Sequence, residues 1–371
     1  MSFFLILLIV YGIGSAININ SKDNANNQSA IGILILILPM FALCAFRALS
    51  IGNDTEIYYY GFNRIHFCET LSIAIQKSRY EVGYTILCYL VDRIGLSFQS
   101  LQIIISAFVY GSFYLFFKKY SKNYWLSCYI FLTLRFLMST MNVVRMWIAI
   151  AILLFSVTHI QNRNLIKFAV IVLIASCFHL SALVFLLIYP LVKLKVNFKT
   201  IYISIVTSAA LFVVGRPVFI KLTEWIGRYG GYLNSNYFNY ESNVAVYLTL
   251  AINLSLFYLI YKNKNISVNN KESTSDTKTI VSIEQISLVS GLLVMSFSII
   301  GLGNTIMDRV SAYFNVFFTI SLPMVFYKKK NDCDMAVLLW GLMIALAAQF
   351  LVVMIYRPSW NGVTPYYFYW E

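Results

Sequence analysis

The chain alternates apolar stretches with short polar segments along almost its whole length. Because about 20 apolar residues are needed for a helix to cross the hydrocarbon of a bilayer, each stretch predicts a transmembrane or half-membrane helix. The roughly twelve stretches lie at about 3–18, 30–46, 98–117, 124–139, 143–159, 165–178, 180–192, 200–215, 243–261, 284–303, 309–327 and 335–355. The pattern predicts an all-α, polytopic integral membrane protein that forms a single domain over residues 1–371.

Two parts of this pattern require a choice between alternatives. The first stretch has the position of a signal peptide, but it lacks a basic start and a small-residue cleavage site after it, which favours a membrane helix. The stretches 165–178 and 180–192 form either one long helix broken near His179 or a hairpin of two short helices.

The compact basic segments between the stretches predict the topology, because cytoplasmic loops are enriched in lysine and arginine. These segments are KKYSK (118–122), NRNLIK (162–167), KLKVNFK (193–199), the lysine-rich residues 262–278 and KKK (328–330). Consecutive cytoplasmic segments must be joined by an even number of crossings. Residues 165–192 are therefore predicted to form a hairpin with His179 at its extracytoplasmic tip, and both termini are predicted to face outward.

Two longer segments fall on the extracytoplasmic side, at about 47–97 and 216–243. The first is too polar to span a membrane, yet it holds apolar runs, which predicts amphipathic helices in the interface or folded over the membrane domain. It carries five basic residues (47, 64, 77, 79, 93) and five acidic ones (54, 56, 69, 81, 92). Topology does not need this balanced charge, so it is the first indication of a site.

Composition agrees with a membrane protein. Of the 371 residues, 60% are hydrophobic and 12% are charged, and the mean hydropathy is +0.73. Soluble domains have about 25% charged residues, so a soluble enzyme, a coiled coil and a disordered chain are excluded. The net charge of +13 is a topology signal rather than a nucleic-acid signal, because the cytoplasmic segments hold 16 basic and 6 acidic residues. The six cysteines are scattered and indicate neither a disulfide scaffold nor a metal site.

Ionisable residues at membrane depth are costly and therefore mark candidate sites. Arg145 lies near the outer end of its predicted helix, and Arg135 lies deeper in the preceding one. With Asn142 between them, the two arginines predict a cationic pocket for phosphate oxygens, which guanidinium groups bind in a bidentate way. The structural alternative is that both side chains snorkel to the interface.

His179, with Ser181 two residues further on, is predicted at the outer face. An imidazole there suits a general base, although a lone histidine among apolar residues is more often a structural one. Asp54 with Tyr58, and Glu81 with Tyr84, predict sugar recognition by carboxylates and aromatic rings. For Asp54 the structural alternative is a helix cap.

Further polar and aromatic residues lie on the same predicted side, including Arg47, Asp308, Arg309 and Tyr366. Walker A, GxGxxG, HExxH, GxSxG and EF-hand patterns do not occur in the sequence, and no carboxylate cluster predicts a divalent-metal site. An ATP-driven pump and a metal-dependent cytoplasmic glycosyltransferase are therefore disfavoured.

The order of these motifs resembles the EpsG-like family of Wzy-type polysaccharide polymerases over about residues 40–367. The motifs are R-x-x-x-x-G-x-D-x-x-x-Y-Y (Arg47, Gly52, Asp54, Tyr58, Tyr59), E-x-G-Y (Glu81, Gly83, Tyr84), N-x-x-R-x-x-x-A (Asn142, Arg145, Ala149), F-H-x-S-A-L (Phe178 to Leu183), D-R-x-x-x-Y (Asp308, Arg309, Tyr313) and P-Y (Pro365, Tyr366). One departure is Met146, where the family pattern has a glutamine. Either that position is not essential, or the acceptor contacts differ in this chain.

The resemblance implies a GT-C-like membrane glycosyltransferase architecture and a reaction. Such proteins join undecaprenyl-diphosphate-linked oligosaccharide repeat units on the outer face of the cytoplasmic (inner) membrane, for an O-antigen, a capsule or an exopolysaccharide. The carrier linkage is already activated, so we expect no cofactor and no metal. Expected partners are the lipid-linked oligosaccharide, membrane lipid, and a chain-length regulator and a flippase of the same pathway, with no nucleic acid.

The resemblance also implies roles. Arg145, helped by Arg309 and Arg47, stabilises the leaving diphosphate, and His179 is the base or orients the acceptor. Asp54 and Glu81 hold sugar hydroxyls, or one of them is the base. The remaining candidates are substrate-binding residues, with three sugar platforms (Tyr58, Tyr84, Tyr366) and further contacts (Asn142, Arg135, Ser181, Asp308). Two other functions stay open: a ligase that transfers the same lipid-linked glycan, and a flippase or transporter of it.

Overall fold

We analysed a computed structural model, which describes residues 1–20, 30–226, 244–264, 280–303, 305–328 and 333–371. Its first α-helices are α1 (Ser2–Asn20), α2 (Ala30–Ala45), α3 (Thr55–His66), α4 (Leu71–Lys77), α5 (Val82–Arg93), α6 (Phe98–Tyr120), α7 (Tyr124–Thr133), α8 (Phe136–Asn142), α9 (Val144–Gln161) and α10 (Leu165–Ser176). The later ones are α11 (Ile188–Leu191), α12 (Phe198–Ile226), α13 (Val244–Lys262), α14 (Ile283–Ile300), α15 (Thr305–Asn315), α16 (Phe318–Lys328) and α17 (Cys333–Tyr356). Short 3-10 helices occupy Leu180–Leu187, Gly301–Gly303 and Pro358–Trp360.

The predicted all-α class is confirmed for the described residues, since each apolar stretch corresponds to one helix or a pair of helices. In the part of the chain described, five helical segments are long and apolar enough to cross a membrane: Phe98–Tyr120, Val144–Gln161, Ile283–Ile300, Arg309–Lys328 and Cys333–Tyr356. The protein is therefore a multi-pass membrane protein. The span count, the orientation and the GT-C-like architecture stay predictions.

Three stretches predicted as single helices are interrupted, and there the sequence prediction was wrong. Residues 124–139 divide at Arg135, which has a left-handed φ of 64° that an α-helix cannot contain. Residues 309–327 break at 316–317, and residues 180–192 begin as a 3-10 helix that ends in the short α11. Helix is also absent at 177–179, which confirms the predicted break near His179.

The segment 47–97, predicted to be extracytoplasmic, folds into the three short helices α3, α4 and α5, as its amphipathic pattern predicts. Helix α3, for example, buries Tyr58, Phe62 and Ile65 and leaves Glu56 exposed. Residues 216–226 are helical, because α12 continues to Ile226, so a loop does not begin at 216, and the extracytoplasmic position of 216–243 stays a prediction. Residues 227–243 lie outside the described residues.

Polar caps determine where several helices begin. The side chains of Thr70, Ser97, Asn123, Asn164 and Ser282 each accept a hydrogen bond from a backbone N–H three residues further on. These bonds satisfy donors that a helix start leaves unpaired. Caps therefore fix the starts of α4, α6, α7, α10 and α14.

The contacts between helices gather in two compact units, and the predicted single domain stays a prediction. Unit 1 comprises Met1–Leu183 and Phe326–Glu371, and unit 2 comprises Val184–Val325. In unit 1, α6 packs on α2 and α9, α10 packs on α9, and α1 packs on α7. In unit 2, α14 packs against α12, α13 and α15. Every contact of the site described below lies within unit 1.

Candidate active site

Three separate parts of unit 1 bring Arg145, Glu81 and His179 together. Glu81 precedes α5, Arg145 is in the first turn of α9, and His179 follows α10. The Arg145 Nη1 donates a hydrogen bond to Oε2 of Glu81. The other carboxylate oxygen, Oε1, lies 3.4 Å from Nδ1 of His179 and accepts a bond of 3.4 Å from the backbone N–H of Leu180. One carboxylate therefore contacts both a guanidinium and an imidazole.

Gly83 makes this convergence possible. Its backbone N–H donates to the carbonyl oxygen of Cys177 at 2.8 Å. A Cβ atom at position 83 would lie 2.8 Å from the same oxygen, which is closer than such atoms approach. Glycine is therefore required for α5 to meet the turn that carries His179. The close approach of Cys177 therefore explains why the E-x-G-Y motif has a glycine at position 83.

The three side chains are mostly buried but not sealed from solvent. Their exposed fractions are 21% for Arg145, 16% for Glu81 and 22% for His179. Burial by itself raises the pKa of Glu81, but the imidazole of His179 and the charge of Arg145 favour the carboxylate and lower this pKa to about 2. A carboxylate with so low a pKa stays charged near neutral pH and is a weak base.

Two buried nitrogen atoms of this cluster lack a hydrogen-bond partner among the described residues, namely Nε of Arg145 and Nδ1 of His179. The contact between Nδ1 and Glu81 is therefore an electrostatic one, with poor hydrogen-bond alignment. Buried polar atoms are normally paired. Unpaired N–H groups next to solvent are consistent with a ligand that supplies the missing acceptors.

Tyrosine rings form the surroundings of Arg145. Its guanidinium carbon lies 5.0 Å from the ring centroid of Tyr80 and 5.9 Å from that of Tyr58, distances at which a cation is attracted to a ring. Tyr58, Tyr80 and Tyr84 contact one another with centroids 5.3–5.6 Å apart. Tyr80 was not predicted as a site residue. Its position directly before Glu81 in the run RYEVGY (79–84) could have indicated it.

The predicted sugar platforms have little free surface. The exposed fractions are 4% for Tyr58, 1% for Tyr84 and 9% for Tyr366. The hydroxyl of Tyr366 donates to the carbonyl oxygen of Leu43 at 2.6 Å. These rings pack against protein in the structure, and their role as sugar platforms stays a prediction.

Arg47 occupies a different environment from Arg145. It is 3% exposed, and its Nη1 donates to the carbonyl oxygen of Cys44 in the last turn of α2, where a cation suits the exposed carbonyl groups. It also lines a small cavity of about 20 Å³ with Tyr58 and Tyr84. The observed contacts of Arg47 are therefore those of a helix cap.

Asn142 ties the N-terminal and C-terminal parts of unit 1 together. Its Oδ1 accepts from the backbone N–H of Asn53 at 2.6 Å, and its Nδ2 donates to the carbonyl oxygen of Asn361 at 2.7 Å. The N–H of Gly52 donates to the carbonyl oxygen of Gly362 at 2.8 Å. Asn142 therefore makes a structural connection, while its predicted contact with substrate stays a prediction.

The remaining candidates lie around this framework. Arg135 has its guanidinium carbon 5.9 Å from the ring centroid of Trp360, whereas Arg145 faces Glu81. The shared pocket of the two arginines stays a prediction. Asp54 occupies the N-cap position of α3, as the structural alternative predicts, but its side chain makes no cap hydrogen bond there, and its role in sugar recognition stays a prediction. Ser181 lies in the 3-10 helix after His179.

Asp308 and Arg309 lie in α15 of unit 2. A contribution of this pair to the cluster in unit 1 therefore stays a prediction. Within the described ranges, no group of three or more histidine, cysteine or acidic side chains is arranged to hold a metal ion.

Comparison with known proteins completes the description of the chain. No curated protein matches the sequence, and no solved structure matches it. The sequence does match the EpsG family, over residues 31–368, a range that contains every part of the Arg145–Glu81–His179 cluster. The chain therefore belongs to the EpsG family of Wzy-like polysaccharide polymerases.

Proposed function

We propose that this polymerase joins undecaprenyl-diphosphate-linked oligosaccharide repeat units at the extracytoplasmic face of the cytoplasmic membrane, without a metal. The observation that carries the proposal is the single carboxylate of Glu81 between the guanidinium of Arg145 and the imidazole of His179. A cation for a leaving diphosphate and a base for an acceptor hydroxyl are the two groups that this reaction needs.

In the proposed step, an acceptor sugar hydroxyl attacks the anomeric carbon of the growing glycan. The new carbon–oxygen bond forms while the bond from that carbon to the diphosphate oxygen breaks, and the diphosphate leaves with the electron pair. The hydroxyl proton moves to His179, through the nitrogen that does not face Glu81. Asp54 remains the alternative base, whereas the low pKa of Glu81 disfavours that carboxylate.

The charges of the cluster support this assignment. With a neutral imidazole, Arg145 and Glu81 cancel, so the resting cluster has no net charge. When His179 takes the proton, the cluster becomes positive at the moment when negative charge develops on the leaving diphosphate. Because this positive charge is present only in the transition state, it stabilises the transition state more than the ground state. The unpaired Nε of Arg145 provides a donor for a phosphate oxygen.

The first test replaces Arg145 with alanine and with lysine in cells that depend on this gene for their surface glycan. We expect Arg145→Ala to abolish the polymer ladder and leave single lipid-linked units. Lysine should also be poor, because a point charge does not reproduce the two-pronged guanidinium. The matched control is Arg357→Ala, which alters an exposed arginine and should keep the ladder. A normal ladder for Arg145→Ala would remove this residue from the mechanism.

The second test replaces His179 with alanine and compares it with His66→Ala, because His66 also contacts a carboxylate but has a side chain that is 62% exposed. A base contributes about 100-fold or more to rate, so we expect a loss of at least that size for His179→Ala alone. A normal rate would reassign the base to Asp54. Deletion of the gene separates the alternatives, because a polymerase leaves single repeat units on the surface, whereas a ligase or a flippase leaves no glycan beyond the core.

A further inference from the structure

A second cationic site lies beside the cluster, and we call it the basic cavity. It has a volume of about 250 Å³ and lies between α3 and the segment 74–80, with Arg64, Lys77 and Arg79 in its lining and no acidic residue there. Tyr60, Ser78 and Tyr80 add hydroxyl groups to its wall. Three cations converge on one concave surface, and the proposed polymerase chemistry has not used them.

The charge of the basic cavity is not neutralised by nearby acids. The outer segment has equal numbers of acidic and basic residues, but Glu81 contacts Arg145 and His179, and Asp92 contacts His66 and Arg93. Within the described part of the chain, no carboxylate oxygen lies within 4.0 Å of the charged nitrogens of the three lining cations. The five basic residues of the segment therefore differ in their partners. Arg47 donates to the end of α2, Arg93 contacts Asp92, and Arg64, Lys77 and Arg79 line the cavity.

Tyr80 connects the two sites. Its ring centroid lies 5.2 Å from the guanidinium carbon of Arg79 and 5.0 Å from that of Arg145. The Tyr80 hydroxyl donates to the carbonyl oxygen of Ile57 at 2.8 Å and accepts from Nη2 of Arg79 at 3.3 Å. A Cβ atom on Gly61 would lie 2.4 Å from the ring, so glycine lets the ring lie directly on α3. A ligand in the cavity would thus lie one ring away from Arg145.

We propose that the basic cavity binds a diphosphate group, and that this is the diphosphate of the second lipid-linked substrate. This assignment rests on the proposed function, because polymerisation brings together two substrates that each carry a diphosphate, of which only one leaves. Guanidinium groups bind phosphate oxygens in a bidentate way. A volume of about 250 Å³ corresponds to about eight water molecules, a space that suits the two phosphorus and seven oxygen atoms of a diphosphate.

The test uses the full-length protein in phosphatidylcholine nanodiscs and measures binding of inorganic pyrophosphate by calorimetry. The variant Arg64→Gln/Lys77→Gln/Arg79→Gln removes three charges from exposed side chains, so the fold should persist. Both proteins carry Arg145→Ala in this comparison, because Arg145 is itself proposed to contact a diphosphate. In that background we expect the triple variant to bind at least about 100-fold more weakly, since each charged hydrogen bond contributes about tenfold or more. Equal binding with and without the three lining cations would overturn the proposal.

Two controls separate this proposal from the polymerase mechanism. Arg357→Gln removes one exposed charge elsewhere and should bind pyrophosphate as the wild type does. Arg145→Ala should retain pyrophosphate binding in the basic cavity even though it makes no polymer. If the triple variant binds normally while Arg145→Ala abolishes the ladder, the basic cavity fails and the proposed function stands. If the triple variant binds weakly while Arg145→Ala keeps a normal ladder, the basic cavity is a diphosphate site and Arg145 leaves the polymerase mechanism.

The headgroup of an anionic phospholipid offers the same phosphate chemistry, and a second measurement distinguishes the two sources. We expect phosphatidylglycerol in the nanodiscs to leave the affinity for pyrophosphate unchanged, and the triple variant to shorten the glycan ladder in cells. If phosphatidylglycerol instead competes with pyrophosphate in the wild-type protein and the ladder of the triple variant is normal, the cavity binds a lipid headgroup. That result would overturn the assignment to the second substrate.

Discussion

Arg145 and Arg47 are two largely buried arginines of unit 1 whose environments differ. Arg145 pairs with a carboxylate from another element and lies beside a histidine, while the buried Nε of each arginine lacks a hydrogen-bond partner among the described residues. Arg47 is buried more deeply, and its Nη1 donates to a carbonyl oxygen of the helix that precedes it. A carbonyl oxygen at a helix end carries no formal charge, whereas the carboxylate that Arg145 shares with His179 is charged. We therefore expect the chemistry of the partner, more than depth, to separate a reactive arginine from a structural one.

The largest effect should come from Glu81→Gln, which keeps the shape of the shared group but removes its charge. We expect the rate of polymerisation to fall by about 100-fold, because the base loses its orienting partner and the guanidinium loses its position. The rate is measured as lipid-linked units consumed per folded molecule. Glu56→Gln changes an exposed acid of α3 and should leave the rate unchanged. A normal rate for Glu81→Gln would show that the contact between Arg145 and Glu81 has no part in the reaction.

The next effect tests the other environment. Arg47→Met keeps the long aliphatic stem and removes the donors to the carbonyl oxygen of Cys44, so we expect the free energy of unfolding to fall by about 1–3 kcal/mol. The measurement is the thermal unfolding midpoint in detergent, with Arg357→Met as the control. We expect polymer yield to fall only as far as folded protein falls. A rate per folded molecule that drops about 100-fold would instead give Arg47 the helper role implied by its family motif.

A somewhat smaller loss of stability is expected for Asn142→Ala. This change removes the bonds to Asn53 and Asn361 and leaves buried backbone groups unpaired, at a cost of about 1–2 kcal/mol. The control is Asn162→Ala, at an exposed position after α9. If Asn142→Ala unfolds at the wild-type temperature but loses activity, the residue contacts substrate rather than joining the two parts of unit 1.

The smallest change is expected in the pH dependence of stability, which should be flat between about pH 5 and 8. The pKa of Glu81 is lowered from 4.5 to about 2, so its charge stabilises the folded protein above pH 4.5, and this contribution is lost as the pH falls towards 2. The difference in unfolding free energy between wild type and Glu81→Gln, on the order of 2–3 kcal/mol, should therefore be constant from about pH 5 to 8 and shrink below that range. When both proteins also carry His179→Gln, so that the neighbouring imidazole does not contribute, a difference that changes between pH 5 and 8 would show that Glu81 titrates there and can act as a base.

The positions of the helices could be predicted from the sequence because hydrocarbon imposes a minimum length of apolar residues on any span. The interruptions could not be predicted in the same way. The break at Arg135 depends on a left-handed backbone conformation, and that conformation does not change the apolar pattern of residues 124–139. Likewise, the extension of α12 to Ile226 crosses polar residues that the hydropathy pattern assigns to a loop.

By itself, the sequence determined the class of the protein, its family and the residue types at the site. Only the tertiary structure decided which of these residues meet. Glu81 lies 64 positions from Arg145 and 99 from Leu180, and their contacts depend on the close approach of Gly83 to Cys177. Apolar length is a local property of the chain, whereas pairing between distant side chains depends on how helices pack. For the same reason, Arg64, Lys77 and Arg79 of segment 47–97 line one cavity, apart from the ion-paired Glu81, only once α3, α4 and α5 are folded.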